Sequence, residues 1–153
     1  TVEAVAVAPD GETALIVHKK LAGDPNEAGL DPDIAVDRSF GYSVLRLGSG
    51  AVKLQVTTTA PGSFTLVPDS SYLFILFRDD PSNVRELQQV DMKSFLVTPF
   101  PLGSPPVSVG TVTGVSRVFV NQDHADGRIT FIDWVSGEAR TVTGFELNSR
   151  IRD

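Results

Sequence analysis

The sequence predicts an all-β chain made of three successive four-stranded antiparallel sheets. Three observations lead there. Helical periodicity is almost absent from the 153 residues, and apolar positions either alternate with polar ones or gather in short β-rich blocks. Gly, Pro, Asp and Ser separate these blocks at short intervals, as in proteins built from many short strands. The blocks also recur in the same order three times, with a period of roughly 40–50 residues.

Each unit opens on an apolar strand, a turn and a second strand: "AVAVAPDGETALIV" (Ala4 to Val17), "SFTLVPDSSYLFIL" (Ser63 to Leu76) and "SVGTVTGVSRVFV" (Ser108 to Val120). Pro9-Asp10-Gly11 and Pro68-Asp69-Ser70 are turn chemistry, because Pro presets φ and Asp bonds its own backbone two residues on. A polar loop follows, then a third strand: "YSVLRL", "VRELQQVD" and "RITFID". A short turn comes next, at Gly48-Ser49-Gly50, Met92-Lys93 or Ser136-Gly137. Asp133 is expected to bond the backbone of the last of these turns. A fourth strand closes the unit: "AVKLQVTTT", "SFLVTPF" and "ARTVTGF". The first unit is longer because of one insertion, Lys19 to Asp37.

A four-stranded meander has two apolar faces to bury, so it stacks face to face with its neighbours. The expected architecture is a partial β-propeller in a single all-β domain, 1–153, with blades near 1–60, 61–106 and 107–148. A β-sandwich of the same strands is the alternative. Propeller rings usually close with about four to eight blades. The chain is therefore expected to be part of a larger propeller, or a subunit completed by another copy. Starting at Thr1 without a Met or a basic leader, it reads as a processed protein or an excised piece. "ELNSRIRD" (Glu146 to Asp153) is left without a blade.

The stretch "HADGRITFIDWVSGEARTVTGF" (His124 to Phe145) resembles the repeat of YVTN-type, lactonase-like propellers. The similarity extends to the "APDG…ALIV" half of the first unit and is loosest in the second. It implies a fold that many unrelated functions share. It also implies an extracellular or cell-surface setting. Lactonase-like propellers gather their active residues from many blades around a channel, and three blades supply too few to transfer.

Composition narrows the function. Hydrophobic residues make up 41% and charged residues 21%, as in a soluble globular protein. A net charge of −6 excludes the basic footprint that nucleic acid needs. No apolar run approaches the ~18 residues of a membrane helix. There are no cysteines and only two histidines, His18 and His124, which leaves few candidates for zinc or for nucleophilic catalysis. No G-x-S-x-G elbow, P-loop or dinucleotide fingerprint is present, so no catalytic residue is assigned. "NQDHADG" (Asn121 to Gly127) fails the spacing of an EF-hand loop.

The insertion carries Asp24, Glu27, Asp31, Asp33 and Asp37. Loops this long are usually functional or disordered. In a propeller, the loops between second and third strands open on one face. The equivalent loops bring Asp79 and Asp80, and Asp123 and Asp126. The expected binding set is Asp24, Asp31, Asp33, Asp79, Asp80, Asp123 and Asp126, joined by Trp134. Crowded carboxylates attract cations, so calcium is the one ion to expect, with no other cofactor implied. Trp134 either packs on a neighbouring blade or stacks on a sugar. The reading is a binding or assembly module whose acidic loops meet a protein or a cation-bridged ligand. Self-association through apolar blade faces, exemplified by Phe74, Leu76, Phe95 and Phe131, is expected as well. The alternatives are a fragment of a lactonase-like hydrolase and a glycan-binding surface using Trp134, Tyr42 and Tyr72.

Overall fold

The computed structural model describes residues 1–145. It contains β1 (Val2–Val7), β2 (Thr13–His18), α1 (Pro32–Asp37), β3 (Phe40–Arg46), β4 (Val52–Thr57), β5 (Pro61–Leu66) and β6 (Tyr72–Asp79). The chain continues through β7 (Val84–Asp91), β8 (Val97–Pro101), β9 (Pro106–Val112), β10 (Arg117–Gln122), β11 (Arg128–Asp133) and β12 (Ala139–Thr143). The strands form three four-stranded sheets, ordered β1-β2-β3-β4, β5-β6-β7-β8 and β9-β10-β11-β12. Every neighbouring pair is antiparallel. The fold is a partial β-propeller of three blades. Residues Glu146 to Asp153 lie outside the described residues.

Side-chain alternation decides how the blades stack. In β6, Leu73, Ile75 and Phe77 point toward the first blade, where they meet Leu15, Val17, Tyr42 and Val44. The intervening Phe74 and Leu76 point toward the third blade and meet Val109, Val118, Val120, Ile132 and Trp134. Blade two is apolar on both faces because it is covered on both. This corrects the expectation that Phe74 and Leu76 lie on a free apolar face. They are 0% and 3% exposed, because blade three covers them. Phe131 does lie on an outward face, and it is half-buried.

The third-to-fourth strand turns share one geometry. Gly50, Phe95 and Gly137 each donate a backbone N–H to the carbonyl four residues back, at Arg46, Asp91 and Asp133. Their φ values are 69°, 61° and 73°. Glycine reaches this left-handed region freely, and Phe95 enters it against the Cβ clash. Phe95 was expected in the fourth strand and on a free face. Its ring instead packs on the core between blades one and two, under the Arg46 guanidinium 5.2 Å from its centroid.

The insertion, expected as loop, contains the helix α1. Asp31 caps it by accepting from the Asp33 N–H at 2.9 Å, and Pro32 takes the first helical position. Asp-Pro is a helix-start signal.

Truncating Phe74 to Ala should cost about 3–5 kcal/mol, the usual range for emptying a closed aromatic site. Leu96 is 67% exposed, and its truncation should stay within about 0.5 kcal/mol. Urea unfolding of the two variants would measure the contrast. Equal losses would mean that the seam between blades two and three is not formed in solution.

Candidate functional site

Within each sheet, the loop between second and third strands leaves at the same end as the connection to the next blade. At the seam of blades two and three, Asp123 N donates to the Pro105 carbonyl at 2.7 Å, tying the β10–β11 loop to that connection. Arg78, at the end of β6, reaches across the seam. Its guanidinium holds Asp80 by two hydrogen bonds, 2.9 and 2.7 Å, and lies 3.6 Å from Asp123. Asp80 follows the last residue of β6, in the turn, where its carboxylate reaches back to Arg78. The hydrogen bonds from Arg78 hold the Asp80 carboxyl below its ordinary pKa. The structure thus brings Asp80 and Asp123 together, with an arginine between them.

Two of the other acids are held by local contacts. Asp24 caps its own turn through the Asn26 N–H, and Asp31 caps α1. Asp33 lies in the first turn of α1, exposed. Asp79 ends β6, half-buried, and the backbone N–H of Asp126 donates to His124 Nδ1 at 3.2 Å. Among the described residues, no three His, Cys, Asp or Glu side chains converge as a metal site would require.

The insertion is held by its own contacts. Arg38 pairs with Glu27 and also donates to the Asp24 carbonyl, while Leu21 N donates to the Asp37 carbonyl. A Cβ on Gly23 would lie 2.6 Å from the Arg38 side chain, so glycine makes room for the staple. The apolar Leu21, Ile34 and Val36 remain 42%, 46% and 41% exposed beside Asp31, Asp33 and Asp37.

Trp134 lies in the core between blades two and three, 6% exposed. Its indole Nε1 is buried without a hydrogen bond of ordinary geometry, facing the region of the Asp69 carboxylate. Tyr42 is 1% exposed and donates its hydroxyl to Gln88 at 2.9 Å. Tyr72 packs on the same core as Trp134. The three aromatics named for sugar stacking are therefore packing residues here. Asp133 accepts from the N–H groups of Val135 and Ser136, both at 3.0 Å, which lowers its pKa.

Sequence reasoning missed two features. One is the Arg78 bridge, signalled only by its place two residues before Asp80. The other is His18 Nε2 at 2.7 Å from Ser43 Oγ, beside a cleft of about 280 Å3 that Asp37 also lines. These two side chains lie diagonally across adjacent strands. In blade three Gln122 and Thr130 hold the same diagonal at 2.7 Å, buried, with Gln122 also accepting from Ser104 N. The His18–Ser43 contact thus has a packing counterpart in blade three, while blade two carries Phe77 and Gln88 at these positions. Burial lowers the His18 pKa, the terminal amine lowers it further, and Asp37 opposes both.

No protein-family model matches the chain, and no curated protein is significantly similar to it. Solved structures are similar in fold. U3-55K, a WD40 propeller protein, superposes with a TM-score of 0.57 at 12% identity, over 92% of this chain and 38% of its own. Puromycin hydrolase, a propeller enzyme, gives 0.56 at 16% identity, over 94% of this chain and 22% of its own. The chain thus spans well under half the length of either protein. At such identities the likeness is one of fold, to propellers at large, and it does not distinguish the YVTN type.

Two titrations follow from this geometry. Replacing Arg78 by Gln should raise the Asp80 pKa toward its ordinary value, read by carboxyl NMR. An unmoved Asp80 would show that the bridge is absent in solution. His18 should titrate below 6.5. Its folded state disfavours the proton, so its contribution is complete above the unfolded pKa and is lost as pH falls through the interval between the two values. A His18 value at or above 6.5 would contradict the burial described.

Proposed function

We propose that the chain is a propeller module for protein binding, with the loops at the β2–β3 end as its contact surface for a basic, amphipathic partner. One observation carries this reading. The insertion is capped by Asp31 and stapled by Arg38, yet it holds Leu21, Ile34 and Val36 in water among acidic side chains. A solvated linker has no need of three exposed apolar groups on a built scaffold. Apolar residues rimmed by charge are the usual anatomy of an interaction patch.

Electrostatics supports the choice of a basic partner. Asp24, Asp31, Asp33, Asp79 and Asp126 pair with no basic side chain among the described residues. The tie between Arg78 and Asp123 supports a surface continuous from one loop to the next. Lysine or arginine on the partner would add attraction that steers association, and apolar contacts to Ile34 and Val36 would add residence time. An extracellular or cell-surface setting, taken from the resemblance to YVTN-type blades, belongs to this reading.

A synthetic amphipathic Lys/Leu helix is a suitable probe. The chain should bind it in calorimetry at low salt and several-fold more weakly at high salt, because exposed charges are screened. Replacing Asp31 and Asp33 together by Asn keeps a competent helix cap and removes charge, so it should weaken binding several-fold. Ile34→Ser should weaken it at either salt concentration. Binding that ignores both substitutions, or no binding at low salt, would overturn the proposal.

A further inference from the structure

The two outward blade faces are of opposite kinds. Blades two and three each use one face to pack on the preceding blade. In blade two that face carries Phe64, Leu73, Ile75, Val90 and Met92, and in blade three Val109, Val118, Val120, Ile132 and Trp134. Strand register identifies the corresponding residues of blade one. Val5 pairs with Ile16 as Phe64 pairs with Ile75 and Val109 with Val120. Leu45 pairs with Ala14 as Val90 pairs with Leu73 and Ile132 with Val118. Leu47 donates its N–H to Glu12 as Met92 does to Ser71 and Trp134 to Ser116.

Among the described residues no blade precedes blade one, yet this face remains apolar. Val5 is 59% exposed where Val109 is 9%, and Leu47 is 46% exposed where Met92 and Trp134 are 3% and 6%. On β4, Val52, Leu54 and Val56 alternate outward at 60%, 42% and 47% exposure, while the intervening Lys53 turns inward to donate to the Phe95 carbonyl. A solvated outer strand would have the reverse polarity. Blade three shows the opposite kind of face. Phe119 and Phe131 occupy the positions of Leu15 and Val44 in blade one, which are 0% and 2% exposed against blade two. Both phenylalanines are only partly covered, and Phe131 borders a groove of about 280 Å3 that Arg117, Arg140 and Val142 also line.

We propose that a second copy of this chain covers both faces, with blade one of each copy seated on blade three of the other. The seam would continue the packing already made twice inside the chain. A second copy supplies both kinds of face at once, whereas a separate partner with one matching face would leave the other in water. Two copies of a three-bladed chain give six blades, within the four to eight or so at which such rings close. The contact is heterologous, and closure after two copies is what prevents a growing filament. It requires no ion pair from the acidic loops, although Val36 and Asp37 of the insertion line one cleft with Leu54 and Val56, so the seam borders the binding surface proposed above.

Light scattering and sedimentation on the intact chain test this, with circular dichroism to confirm that each variant folds. The wild type should have the mass of a dimer that dissociates on dilution. Leu47→Asp and Phe131→Asp should each be monomeric alone. Mixed in equal amounts they should recover a dimer, because each heterodimer retains one unaltered seam. Recovery also demonstrates that both variants are folded. A monomer at every concentration would overturn the proposal and leave these faces to further blades of a longer polypeptide. So would an open filament, or a dimer that Phe131→Asp leaves intact, which would place blade one against blade one.

Discussion

Burial of both faces of every sheet is the constraint on which the rest of this structure depends. A four-stranded meander is too thin to hide one face behind the other, so its stability comes from what lies on each side. Blade two meets this condition fully, and the buried run of β6 from Leu73 to Phe77 is the result. It reads as a continuous apolar block, as strands buried on both faces do. The polar contacts across the seams follow the same demand. Tyr42 to Gln88, Arg46 to the Lys93 carbonyl and Asp10 N to Ser70 Oγ each satisfy a group that stacking brings close to a neighbour.

The constraint also explains where the chain tolerates irregularity. Phe95 occupies a left-handed turn position that its counterparts fill with glycine. Its ring packs against the first seam, so burial offsets the backbone strain. The insertion is accommodated because it leaves the end of the β2–β3 hairpin, where length adds little to the entropy of loop closure and disturbs no seam.

Most of the architecture was legible because the repeat is written in residue type. All twelve strands, the Asp133 turn and the place of the insertion follow from alternation, Gly and Pro punctuation and order. What alternation cannot give is which neighbour covers a face. Phe74 and Phe131 look alike in sequence, and only stacking order makes one a core residue and the other half-exposed. Trp134 and Tyr42 were ambiguous for the same reason. The six-residue helix was hidden by its shortness, although Asp31-Pro32 marks its start. The Arg78 bridge was hidden because it joins two loops far apart in the chain, and no local pattern encodes such a meeting.

The seams ask of each position only that it be apolar and of suitable size, which many sequences can satisfy. That is how the fold matches solved propellers at 12% and 16% identity while no family model matches the sequence. Residues that serve the seams therefore say little about function, however well they repeat. The informative residues are those the repeat does not explain. Three groups meet that description: the apolar and acidic surface of the insertion, the arginine that joins two loops, and seam residues that face solvent. The first two are the features on which the proposed binding surface rests. The third bears on the seam proposed between two copies, since this face retains the residue types of a buried seam while facing solvent.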